Sequence, residues 1–229
     1  MVNGLSDELR TELSGLCGRR ADVYGFLSRL YCREADEALL VDLKRTAFPA
    51  NTGNDKVDTG YRMLATYLSG VADTTTALKE LAVDYYNVFF GNGNLTYSAA
   101  YPFESVYTSE KRLLIQEARD EVLEVYAKAN MAIDKSWKDP ADHIALELQY
   151  MQKQSGHTKD ALDKGNDDEA LVLFGEQRTF LSEHLGAWAP MMTTDQKRIA
   201  KTGFYEGLAW LTEGFLKVDR EFLATIISQ

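Results

Sequence analysis

Leu9, Leu13, Leu16, Val23, Leu27 and Leu30 recur three, four or seven residues apart, and no other feature narrows the fold as much. That spacing places them on one face of a helix, predicted from about Ser6 to about Cys32. The signature then returns along the chain. Leu39, Leu40 and Leu43 predict a short second helix that should stop before Pro49. After the polar loop Asn51 to Asp58, a third helix is marked by Val57, Tyr61, Leu64 and Leu68, and a fourth by Leu78, Leu81, Tyr85 and Phe89 behind the start signal Asp73 to Thr76. Only four prolines and 16 glycines occur in 229 residues, too little turn chemistry for an all-β chain.

Gly91-Asn92-Gly93-Asn94 ends the fourth helix and opens an irregular stretch to Phe103. A loop of this length in a compact helical chain is more often functional than idle. Helical spacing resumes from Val106 to Ala129 through Leu113, Leu114, Ala118, Val122 and Val125. Asp139-Pro140 reads as an N-cap followed by proline at the first helical position, with Asp142 as the third helical residue. Ile144, Leu146, Leu148 and Tyr150 alternate as a strand would, but the cap and the helical context favour a helix. Residues 156–166 read as a linker or hinge, with Asn166 and Glu169 as a cap for the next helix. Leu171, Phe174, Leu181 and Leu185 carry that helix to a break at Gly186 to Pro190, and Thr194-Asp195 starts another that passes Ile199, Phe204, Leu208, Leu211 and Phe215. The expected fold is all-α, a single domain over 1–229 built as a bundle of about nine or ten helices, with one long loop between the fourth and fifth. Monomer and domain-swapped dimer both stay open.

The formal net charge of -10 disfavours a nucleic-acid binder and suits a basic partner. Cys17 and Cys32, if both lie on the first helix, sit roughly 22 Å apart and should be free thiols. The start Met-Val-Asn-Gly-Leu-Ser-Asp-Glu lacks a basic and an apolar leader region, and no later apolar run is long enough to span a bilayer, so a cytoplasmic protein is expected. His143, His157 and His184 show no metal-ligand spacing, no Gly-x-Ser-x-Gly elbow surrounds Ser105, and no P-loop occurs. Neither metal nor cofactor is expected. His143 and Glu147 are four apart, which allows a weak two-ligand site against the plainer reading of an ordinary helix pair. On that plainer reading Asp142 neutralises free N–H groups at a helix start and His143 is a partly buried hydrogen-bonder. Tyr85, Tyr86, Phe89, Phe90, Tyr97, Tyr101, Phe103 and Tyr107 crowd the fourth helix and its loop. One helical face cannot bury them all, so some should line a groove for an apolar peptide.

Four blocks carry a resemblance to a known family: Tyr-Tyr-Asn-Val-Phe-Phe-Gly at 85–91, Pro-Phe-Glu-Ser-Val-Tyr at 102–107, the Asp-Pro-Ala-Asp-His segment opening 139–151, and Phe204 to Asp219. In type and order they resemble the TorD/DmsD/NarJ family, chaperones that mature molybdenum oxidoreductases and guard their twin-arginine export leaders, and most of all its TorD/DmsD branch. The resemblance implies a cytoplasmic chaperone for anaerobic respiration, not an enzyme. It would bind the twin-arginine leader and apo form of a molybdopterin oxidoreductase of the dimethyl sulfoxide or trimethylamine N-oxide reductase type, delaying export until the cofactor is inserted.

Carried over by position, the resemblance implies that Tyr85, Val88, Phe89, Pro102, Phe103, Glu104, Asp139, Asp142 and His143 bind the leader. Apolar members would hold its hydrophobic region, and carboxylates would attract its arginines. The sequence departs from the family in two places. A lone Pro102 stands where several prolines and a tryptophan are common, and Asp139 stands where Glu is common, which shortens that carboxylate arm. Two other functions are weighed beside this one. A helical adaptor would bind the folded oxidoreductase or its partner subunit without reading a leader, and a small helical enzyme would use Asp142, His143 and Glu147. Whether a guanine nucleotide binds is not decided by the sequence.

Overall fold

The structure, a computed structural model, describes residues 5–91 and 99–227. Among them are ten helices: α1 (Asp7–Cys32), α2 (Glu37–Arg45), α3 (Asp55–Gly70), α4 (Thr74–Phe89), α5 (Glu104–Thr108), α6 (Glu117–Lys128), α7 (Ile144–Asp163), α8 (Asp167–Glu183), α9 (Leu185–Ile199) and α10 (Gly203–Ile227). The described residues contain no strand; one isolated antiparallel bridge joins Phe103 to His143. The long stretch between the fourth and fifth helices is where the sequence places it, although Tyr97 and its neighbours from 92 to 98 lie outside the described residues.

Helix starts follow local chemistry. Ser6, Asp36, Asn54 and Asp73 each accept a backbone N–H of the first turn, at 2.7 Å from Thr76 in the case of Asp73. Each such cap replaces water at an otherwise unpaired donor and stabilises its helix by about 1 kcal/mol. At the far end of α4, Gly91 takes a left-handed φ of 71° while its N–H reaches back to the Tyr86 carbonyl. Only a residue without Cβ adopts that geometry freely, which is why the helix stops there.

Two long helix pairs, α1 against α7 and α3 against α10, frame the core. The α3–α10 seam is very close. A Cβ at Gly60 would fall 2.5 Å from the Leu211 nitrogen, so the two backbones meet where a side chain would have stood. Between α1 and α10 lies a buried polar contact: the guanidinium of Arg20 clamps the Asp219 carboxylate, which also accepts the Tyr24 hydroxyl at 2.6 Å. Removing one partner of such a pair would strand the other charge in the core. Cys17 is buried and Cys32 exposed, and both are free thiols.

Five local expectations need correction. Val106 to Ala129 is not one helix: Arg112 and Ile115 adopt left-handed φ values of 50° and 59°, breaking it between α5 and α6 and leaving Leu113 and Leu114 exposed. Asp139-Pro140 does not open α7, which begins four residues later with His143 as its N-cap. Most of 156–166 is no linker, since α7 runs on to Asp163 and only Lys164, Gly165 and Asn166 make the turn. Asn166 caps α8 without a side-chain bond to its backbone and bonds the Glu169 carboxylate instead. Finally, the break expected at Gly186 to Pro190 falls at His184, so that Pro190, Thr194 and Asp195 all lie inside α9, and the next interruption is at 200–202. There the Asp84 carboxylate accepts the N–H groups of Lys201 and Thr202, pinning the start of α10 to α4.

Candidate functional site

The chain leaving residue 99 returns first to α4, where the Ala100 N–H bonds the Val88 carbonyl at 2.7 Å. It then crosses the segment that precedes α7. The Ile144 N–H donates to Pro102 and the Glu104 N–H to Asp142, so 102–104 and 142–144 lie side by side. Asp142 is fully buried; one carboxylate oxygen accepts the Ser105 N–H at 2.9 Å, capping the short α5, and the other has no partner among the described residues. His143 is 4% exposed, its Nδ1 accepting the Ala145 N–H at 3.0 Å and its ring held edge-on between Phe103 and Trp137. Burial pushes its pKa down to about 3, so the ring is neutral at physiological pH.

Beneath this crossing lies a second layer that links α5, α7 and α9. Glu147 is fully buried and accepts the indole N–H of Trp188 at 3.0 Å. Burial, then the negative charge of Glu104, push its carboxyl well above the ordinary range; the indole bond pulls the other way but does not prevail. The second Glu147 oxygen has no hydrogen-bond partner among the described residues, and two buried carboxyls whose charges oppose each other favour one keeping its proton. On its other side Glu104 meets Nδ1 of His184 at 3.1 Å. Burial lowers the His184 pKa, yet the hydrogen bond and charge of Glu104, with the charges of Glu121 and Glu183, raise it above its usual value.

The nine residues expected to bind a leader therefore divide unequally. Glu104, Asp142 and His143 meet at the node, with Pro102 and Phe103 beside them; Tyr85, Val88 and Phe89 lie in the core at the end of α4. Tyr85 packs on Phe89 and Tyr205 and donates its hydroxyl to the Tyr31 carbonyl. Of the nine, only Asp139 is exposed. His184 and Trp188 were not singled out from the sequence. Both sit near the α8–α9 corner and reach Glu104 and Glu147 from about 80 and 41 residues away, a separation no local spacing reveals.

Accessible surface lies around the node. On α4, Val83, Tyr86 and Phe90 form an outward stripe at 62%, 57% and 56% exposure, the last two rings stacked at 5.6 Å. Between α6 and α8 runs a groove whose apolar end has Tyr150 and Phe180 among its lining residues and whose other end reaches Glu104. No helix of the described residues is long and apolar enough to cross a membrane.

Among the described residues, ten helices bury the most distinctive polar side chains and leave apolar and acidic surface outside them, an arrangement that suits a binding protein. Comparison with known proteins agrees. The sequence profile of the nitrate reductase delta subunit family matches residues 54–194. The chain is 27% identical over 216 residues to the chaperone protein TorD of Vibrio parahaemolyticus, covering 93% of this chain and 98% of that protein. It is 29% identical over 217 residues to the TorD chaperone of Aliivibrio fischeri, again covering 93% and 98%, and 29% identical over 217 residues to that of Shewanella pealeana, covering 89% of each. Fold and relatives together define a redox-enzyme maturation chaperone, a binding protein and not an enzyme. The chain belongs to the nitrate reductase delta subunit family, and its curated relatives are TorD chaperones.

Proposed function

We propose that this chaperone works in the cytoplasm on a molybdopterin oxidoreductase of the dimethyl sulfoxide or trimethylamine N-oxide reductase type, binding its twin-arginine leader and its apo form and delaying export until the cofactor is in place. The observation that carries this reading is the apolar stripe Val83, Tyr86 and Phe90, exposed on the helix that contains the family block 85–91. Three large apolar side chains on one outer face of one helix mark a protein-binding surface. An enzyme waiting for its cofactor has unburied apolar surface to meet it.

Within this reading Tyr85, Val88, Phe89, Pro102, Phe103, Glu104, Asp142 and His143 shape the binding region from below, and Asp139 contributes an exposed carboxylate at its edge. Calorimetric titration with an isolated twin-arginine leader tests the proposal. Binding that weakens as salt rises is expected, because exposed charges are screened beyond about 8 Å at physiological ionic strength. Binding to the apoenzyme but not to the leader would overturn leader reading and leave the adaptor role.

A further inference from the structure

The groove between α6 and α8 changes character along its length. At one end Val125, Ala129, Tyr150, Thr179 and Phe180 line a depression of about 390 Å³. Past Glu183 and His184 a wider hollow of about 550 Å³ adjoins it, walled by Glu104, Glu110, Glu117 and Glu121. Glu124 flanks the junction. Against these carboxylates stand only the ammonium groups of Lys111 and Lys128 on the groove walls. Among the described residues, no ion pair occupies Glu117, Glu121, Glu124 or Glu183. Ser109 Oγ, buried and without a hydrogen-bond partner, belongs to the wall of the same acidic hollow.

His184 sits where the two ends meet, lining the apolar depression and the junction. Against its burial, the bond to Glu104 and then the charges of Glu104, Glu121 and Glu183 prevail and raise its pKa. The groove also has a useful length. α6 has 12 residues and is therefore roughly 18 Å long, room for about five residues of extended peptide.

We infer that this groove seats a segment of the partner in which a pair of arginines precedes an apolar stretch, the guanidinium groups lying at the Glu121–Glu183 end and the apolar side chains over Phe180 and Val125. The inference rests on the leader reading above and gives it a location. Each exposed carboxylate matches the fork of one guanidinium, and the adjoining apolar floor removes aliphatic side chains from water. Eight of the nine residues expected to bind a leader are buried, whereas Glu121 and Glu183 are exposed and can make the contact without unfolding anything.

Three variants test it by calorimetry with the isolated leader. Glu121→Gln combined with Glu183→Gln should weaken binding about tenfold at low ionic strength and flatten its salt dependence. Gly175→Leu should fill the apolar end and weaken binding about fivefold while keeping the salt slope; an added Cβ at Gly175 meets nothing within 4 Å, so the helix accommodates it. Val218→Ser, at an exposed apolar residue of α10 that lines neither end of the groove, should leave affinity for the isolated leader within about twofold. As a separate readout, saturating leader should lower the pKa of His184 in imidazole NMR, because arriving guanidinium groups offset the Glu121 and Glu183 charges that add to the Glu104 bond in raising it. Unchanged leader affinity in the folded groove variants would overturn the inference and leave the leader reading standing. Wild-type protein that fails to bind the leader would end both.

Discussion

The node formed by Glu104, Asp142, His143, Glu147 and His184 and the groove between α6 and α8 share Glu104 and His184, yet they are opposite kinds of surface. At the node, polar groups are buried, capped and committed to one another: Asp142 holds α5, His143 holds α7, and Glu147 ties α7 to Trp188 of α9. In the groove the carboxylates of Glu110, Glu117, Glu121 and Glu183 stand in water with little opposing charge. The residues that make the chain recognisable build the frame. Those with free chemistry are ordinary glutamates that no motif would single out.

The comparison is broken most easily at the node. Asp142→Ala leaves the Ser105 N–H without its acceptor at the crossing and should cost about 2–3 kcal/mol, read as a fall in the urea midpoint. His143→Ala removes the α7 cap and the ring between Phe103 and Trp137, and should cost about 2 kcal/mol by the same measurement.

Proton linkage sharpens the contrast further. In the unfolded chain His143 takes up a proton near its ordinary value of 6.5, but in the fold only near 3. The unfolded state therefore binds more protons between these values, and stability should fall as pH drops from about 6.5 towards 3. His143→Gln should flatten that limb of the stability profile.

Glu147 has the opposite sign. Its raised pKa makes the folded state the one that keeps its proton, so its contribution is present below about 4.5 and declines as pH rises. Glu147→Gln, which stays neutral and can still accept from Trp188, should reduce that decline and leave stability at neutral pH unchanged or slightly higher. A strong loss of stability in this variant would mean that the carboxyl is ionised in the fold. The smallest effect belongs to the groove, where Glu121→Gln and Glu183→Gln should each move stability by less than about 0.5 kcal/mol, since both side chains are exposed.

Much of this architecture is legible in local sequence. Leu13, Leu27 and Leu30 on α1 face the core as their spacing demands, and Asp73 caps α4 where the start signal stands, whereas α3 begins at Asp55, inside the loop expected from Asn51 to Asp58. What is not legible depends on tertiary contact. Asp139-Pro140 has the chemistry of a helix start, but the pairing of 102–104 with 142–144 takes the backbone of that segment and delays the helix to Ile144. Leu113 and Leu114 continue a helical spacing into a stretch where Arg112 and Ile115 turn left-handed. At the candidate site the sequence picks out residues that the fold brings together, but it does not tell which of them are exposed. Neither the aromatic crowding around Phe103 nor the acidic-histidine pair states which side of the surface it occupies, and the long-range partners Trp188 and His184 decide that.

The central claim is that the buried marker residues build the frame for binding and do not themselves touch the leader. The most direct test measures melting temperature and leader affinity on the same preparations of Asp142→Asn and His143→Gln. The melting temperature should fall by several degrees in each variant, while the protein that remains folded binds the leader within about twofold of wild type. Unchanged melting together with a tenfold loss of leader affinity would contradict the claim and put Asp142 and His143 in the contact itself.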